Sequence, residues 1–67
     1  MNEITIMYEV EGKVKWEDFH EAEYEWTPEH LVITYPWKRK GYKQVVYIKR
    51  TAIIVLRITM KEDISNE

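Results

Sequence analysis

Side-chain alternation with a period of two runs through most of this 67-residue chain, and it leaves little room for anything but strands. Ile4, Ile6, Tyr8 and Val10 alternate with Thr5, Met7, Glu9 and Glu11. Beyond Gly12, the residues Val14, Trp16, Asp18, His20, Ala22, Tyr24 and Trp26 share one parity. Lys13, Lys15, Glu17, Phe19, Glu21, Glu23 and Glu25 share the other. Leu31, Ile33, Tyr35 and Trp37 repeat the pattern, and Tyr42 to Lys49 sets Val46 and Ile48 against Val45 and Tyr47. A helix over 16–25 competes, because Trp16, Phe19, His20, Glu23 and Tyr24 fall on one helical face and Glu and Ala favour helix. Three glutamates alternating with Ala22, Tyr24 and Trp26 favour the strand.

Turn residues divide the strands. Glu11-Gly12 suits a tight turn, and Pro28 presets φ for a turn over Thr27-Pro28-Glu29-His30. Lys38-Arg39-Lys40-Gly41 is the next, and Arg50-Thr51 allows a short one. Asp18, Phe19 and His20 blemish the alternation, which predicts a bend or bulge near Asp18 that splits or kinks the strand. Pro36 cannot donate to a ladder, so its strand lies at an edge or ends there. Ala52 to Met60 is β-branched and apolar on both faces, which predicts a central strand covered on each side. Lys61 to Glu67 is a polar, frayed tail.

The expected fold is therefore all-β: one domain over 1–60, with five or six antiparallel strands in a meander rolled into a small barrel or a two-layer sheet. The layout is similar to that of small SH3-like barrels and of the strand half of pleckstrin-homology-like domains, a likeness of pattern that no motif carries. A chain this short buries only about 60% of its unfolded surface. No cysteine is present to staple it. Three Trp, five Tyr and one Phe supply the bulk instead. The aromatic set Trp16, Tyr24, Trp26, Tyr35, Trp37, Tyr42 and Tyr47 is read mostly as core, with Trp37 and Tyr42 as the pair expected at the surface.

The N-terminus lacks the pattern of a signal peptide. The longest apolar run, Ala52 to Leu56, is five residues, far short of the roughly 20 that a membrane helix needs. These features and the missing cysteines predict a cytoplasmic protein with no membrane association. Abundant Glu and Lys beside scarce Asn and Gln resemble heat-adapted compositions.

Charge is sorted along the chain. Residues 1–29 hold nine acids and two bases, and residues 30–61 hold eight bases and no acid, although the total is only −2. A fold must either set these halves against each other or display one to a partner. Two candidate surfaces follow. The first is the basic-aromatic turn of Tyr35, Trp37, Lys38, Arg39, Lys40, Tyr42 and Lys43, where cations attract phosphates and rings stack on unpaired bases. Trp37 and Tyr42 as a cross-strand pair fixing a hairpin is the plainer reading of the same residues, and the acidic pI near 5.7 argues against a dedicated nucleic-acid binder. The second is the acidic stripe of Glu17, Glu21, Glu23 and Glu25. It either pairs with lysines across a neighbouring strand or docks on the basic region of another copy.

Catalysis finds little footing. There is no thiol, and no Ser or Thr stands at a recognisable spacing from a His and an acid. A carboxyl acting as a general acid needs burial, which alternating glutamates on a polar face lack. Asp18, His20, Glu29 and His30 form no metal motif. His20 is read as a half-buried ring hydrogen-bonded at the bend, and His30 as a turn residue. Two glycines cannot build a phosphate-cradling loop. The expectation is a non-catalytic interaction or structural module that binds another protein or its own copy, without cofactor. The alternative is single-stranded nucleic-acid binding through residues 35–43.

Overall fold

A computed structural model describes residues 2–60 of the chain. Residues 61–67, expected above to form a frayed tail, lie outside the described residues. Five strands run β1 (Asn2–Val10), β2 (Lys13–Trp26), β3 (His30–Pro36), β4 (Lys43–Lys49) and β5 (Ile53–Met60), with one 3-10 turn at Arg50–Ala52. They form a single antiparallel sheet in the order β4-β3-β2-β1-β5. The all-β expectation holds, and the region 16–25 is strand, not helix. The sheet does not close into a barrel, since β4 and β5 stand at opposite ends of its order.

The long strand β2 belongs to two layers. Its first part pairs with β1, and its last four residues pair with β3. Between them, His20 and Glu21 stand against the single residue Glu3, because Asn2 faces Ala22 while Ile4 faces Phe19. Glu21 takes a left-handed φ of 54°. This is a β-bulge, and it bends the strand where the sequence is blemished. It also reverses the side-chain parity. Phe19 and Ala22, three residues apart, are both buried. Val14 and Trp16 therefore lie on the opposite face from Ala22, Tyr24 and Trp26, where an unbroken alternation would have put all five together.

One core joins the two layers: Ile4, Ile6, Tyr8, Phe19, Ala22, Leu31, Ile33 and Ile48, flanked by Tyr35, Val46, Ile53, Leu56 and Ile58. Directly opposite residues on antiparallel strands share a face, so Ile4–Phe19, Leu31–Ile48 and Ile6–Leu56 follow from the register. The turns fall where their residues predict. Glu11 and Gly12 both have positive φ, 51° and 78°, as a two-residue hairpin of the primed type requires. Thr27 donates its N–H to the His30 carbonyl at 2.9 Å, and its Oγ1 accepts the His30 N–H at 2.9 Å. β3 ends at Pro36, opposite Lys43.

Strand β5 departs from its expected place. Its two apolar faces suggested a central position, yet it is the edge strand beside β1. Ile53, Leu56 and Ile58 turn toward the core, while Ile54, Val55 and Met60 stay exposed. Ile54 is an extra residue, since Val55 faces Met7 and Ile53 faces Tyr8.

Candidate interaction surfaces

The register defines three surfaces. The outer face of the β5-β1-β2 layer carries two successive rows. One row is Val55, Met7 and Trp16, and the next is Arg57, Thr5 and Asp18. Val14 continues the apolar row on β2, opposite Glu9. Trp16 is 58% exposed, Val14 59% and Val55 42%. Thr5 Oγ1 donates to Asp18 Oδ1 at 2.7 Å, which fixes the carboxylate beside the tryptophan. At the bulge His20 hydrogen-bonds through Nδ1 to Glu3. This bond and the Glu3 charge raise the histidine's pKa above its ordinary value. His20 is exposed, not half-buried as expected.

The second surface is the basic-aromatic turn. The Trp37 and Tyr42 rings meet edge to face at 6.1 Å, and the Arg39 guanidinium lies 5.1 Å from the Tyr42 ring centre. Trp37 donates its N–H to the Tyr42 carbonyl at 3.1 Å, and Tyr42 donates to that of Arg39 at 3.1 Å. The pair thus fixes the hairpin while both rings remain exposed, as expected; Trp16, Tyr24, Trp26 and Tyr47, expected mostly in the core, are exposed as well, because a sheet of this size covers only one face of each layer. Lys38, Lys40 and Lys43 surround it and are exposed. Tyr35 stands apart from this group. Its ring packs 4.9 Å from Phe19 against the core, and its hydroxyl donates to Gln44 Oε1 at 2.7 Å.

Residues that sequence reasoning left out extend this surface along β4. Tyr47, 66% exposed, meets the His30 ring edge-on at 6.0 Å. The Arg50 guanidinium lies over Trp26 at 5.2 Å and donates through Nη1 to the Thr27 carbonyl at 3.3 Å. The signal was present in Tyr47-Ile-Lys-Arg50, but an alternating strand gives no sign of which parity is the bare one.

The third surface, the acidic stripe, is divided by the bulge. Glu17 faces Ile6 on the inner side and is half-buried. Burial and the Glu17 carboxylate together push the Tyr8 phenol above its ordinary pKa. Glu21 sits in the bulge. Glu23 and Glu25 lie on the outer side, opposite Thr34 and Val32. The strand beside them is the one leading into the basic turn, as expected. Its register places Thr34 and Val32 directly opposite these glutamates, and Lys43 and Lys49 stand one strand further on, in β4.

Hollows of 460, 220 and 340 Å³ are lined respectively by Pro28, Glu29 and Arg50, by Glu21, Thr34 and Lys43, and by Tyr8, Glu11 and Lys49. Among the described residues no group of three His, Asp or Glu side chains could hold a metal ion. No described helix is long and apolar enough to cross a membrane. No protein-family model matches this chain, and no curated protein or solved structure is similar to it.

Proposed function

We propose that this chain is a non-catalytic protein-interaction module whose docking surface is the outer face of β5, β1 and β2. The observation that carries this reading is the row Val55–Met7–Trp16, in which Val55 and Trp16 are exposed on either side of a half-buried Met7, continued by the exposed Val14. A 67-residue chain has few large apolar side chains with which to stabilise a core. Leaving a tryptophan and β-branched residues on one bare face forgoes burial worth about 1.5–3 kcal/mol for each large side chain. Contiguous exposed apolar surface of this kind marks contact sites. Tryptophan is also enriched among residues that dominate binding energy.

Site-specific photocross-linking tests this proposal. A photoreactive phenylalanine analogue at position 16, in cells, should give discrete protein adducts that are missing when the analogue replaces Tyr24, which is also exposed but belongs to the opposite face. Adducts of equal intensity from both positions, or from neither, would remove the docking reading.

A second reading has its own observation. Six of the eight bases in residues 30–61 (Lys38, Arg39, Lys40, Lys43, Lys49 and Arg50) lie on β4 or its two flanking turns, interleaved with Trp37, Tyr42, Tyr47 and Trp26. Cations beside exposed rings suit a single-stranded nucleic acid. This reading predicts salt-sensitive oligonucleotide binding that Tyr47→Ala weakens by about 1–3 kcal/mol. Equal affinity for Tyr47→Ala and the parent chain would exclude stacking at that strand.

A further inference from the structure

We infer that the partner on this outer face is a second copy of the chain, seated face to face about a two-fold axis running along β1. The inference rests on reading that face as a docking surface, and charge and register supply the rest. In the row next to the apolar one, Arg57 on β5 and Asp18 on β2 flank Thr5 on β1. Arg57 and Asp18 are both exposed. The face thus carries a cation along one side and an anion along the other, at the same height on the sheet.

A two-fold axis along β1 exchanges the β2 and β5 columns and keeps the rows level. Trp16 of each copy then lies over Val55 of the other, and Asp18 lies over Arg57. Each contact occurs twice, as an isologous interface requires. An axis across the strands at Met7, taken for comparison, keeps the columns and reverses the rows. It sets Asp18 over Val14 and strands Arg57 above the apolar end of β5. Desolvating unpaired charges against apolar groups is costly, so charge selects the axis along β1. Glu9, one row beyond Met7, and Glu3, one row beyond Thr5, each approach their own copy on that axis. Both are exposed near the ends of β1, and Glu3 is hydrogen-bonded by His20, so these like-charge contacts weaken the pair without blocking it.

The area sets the strength. Three strands spaced by about 4.8 Å and roughly eight residues long present a plane of roughly 14 by 26 Å. That falls short of the ~800 Å² per partner of a standard interface. The dimer should therefore be weak and concentration-dependent, with a Kd on the order of 10 μM or higher.

Sedimentation equilibrium from about 10 μM to 1 mM on four chains decides it: the parent, Asp18→Arg, Arg57→Asp and the double reversal. Circular dichroism melts confirm that each chain folds. The parent should pass from monomer to dimer, each single reversal should weaken association by about tenfold or more, and the double should recover to within about threefold of the parent. Trp16→Ser should remain monomeric throughout. Single reversals that associate as the parent does would overturn the two-fold arrangement. A parent that stays monomeric at the highest concentration would overturn the second copy as partner. In that event, adducts from position 16 to a different protein would leave the docking reading itself standing.

Discussion

His20 and the buried aliphatic residues act on stability through different physics. His20 gains a carboxylate partner, Glu3, on folding, and its pKa is raised by that hydrogen bond and charge. A group raised in the folded state adds stability that is fully present below its unfolded pKa, about 6.5, and lost as pH climbs through the folded value. The melting temperature should therefore fall slightly as pH rises from about 6 to 8, and Glu3→Gln should flatten that slope. NMR titration of the His20 ring should show its pKa dropping in Glu3→Gln; an unchanged value would remove Glu3 as the cause. Core and surface aliphatics should separate sharply in urea denaturation. Leu31 is fully buried among β2, β3 and β4, so Leu31→Ala should cost about 2–5 kcal/mol. Trp16→Ser, on the bare face, should cost about 1 kcal/mol or less. A large loss at Trp16 would mean that this ring holds the fold together rather than waiting for a partner. Trp16 and Leu31 look alike in an alternating sequence. Only the register assigns one to solvent and the other to the core.

At the scale of elements, the bulge in β2 decides which face Val14 and Trp16 occupy. The strand count, the turns at Glu11-Gly12 and Thr27–His30, and the bend near Asp18 were legible because Gly, Pro and broken periodicity act locally. The face of Val14 and Trp16 was not, because one extra residue reverses every parity beyond it. The same holds for β5, whose apolar residues on both faces suggested double cover although only one face meets the core. The basic turn was legible as a group except for Tyr35, which the register turns inward against Phe19. The bulge is itself testable. Deleting Glu21 restores a continuous ladder and forces Phe19 or Ala22 out of the core, so the variant should lose its cooperative urea transition. Glu21→Gly keeps the bulge and removes the strain of a side chain at φ 54°, so it should be at least as stable as the parent, gaining up to about 1 kcal/mol. A deletion that folds normally would show that the bulge is incidental.

For the whole molecule, the sorted charges take an unexpected form. The bulge splits the acidic stripe, with Glu17 turned inward and Glu23 and Glu25 outward, while the bases gather along β4 and its turns. The molecule presents a basic-aromatic edge at one end of the sheet order and, at the other, a face on which Val14, Trp16 and Val55 are exposed. An open sheet with one bare apolar face is what a docking module requires, and it explains why the most apolar segment sits at an edge. The central claim is that this face, and not the basic edge, is the surface in use. The most direct test is a series of ¹⁵N–¹H spectra of the parent chain, diluted from about 1 mM to 20 μM. The account predicts concentration-dependent shifts at Thr5, Met7, Trp16, Asp18, Val55 and Arg57, with residues 37–49 unmoved. Shifts confined to residues 37–49 would contradict it, and none anywhere in that range would contradict the second copy as the partner on this face.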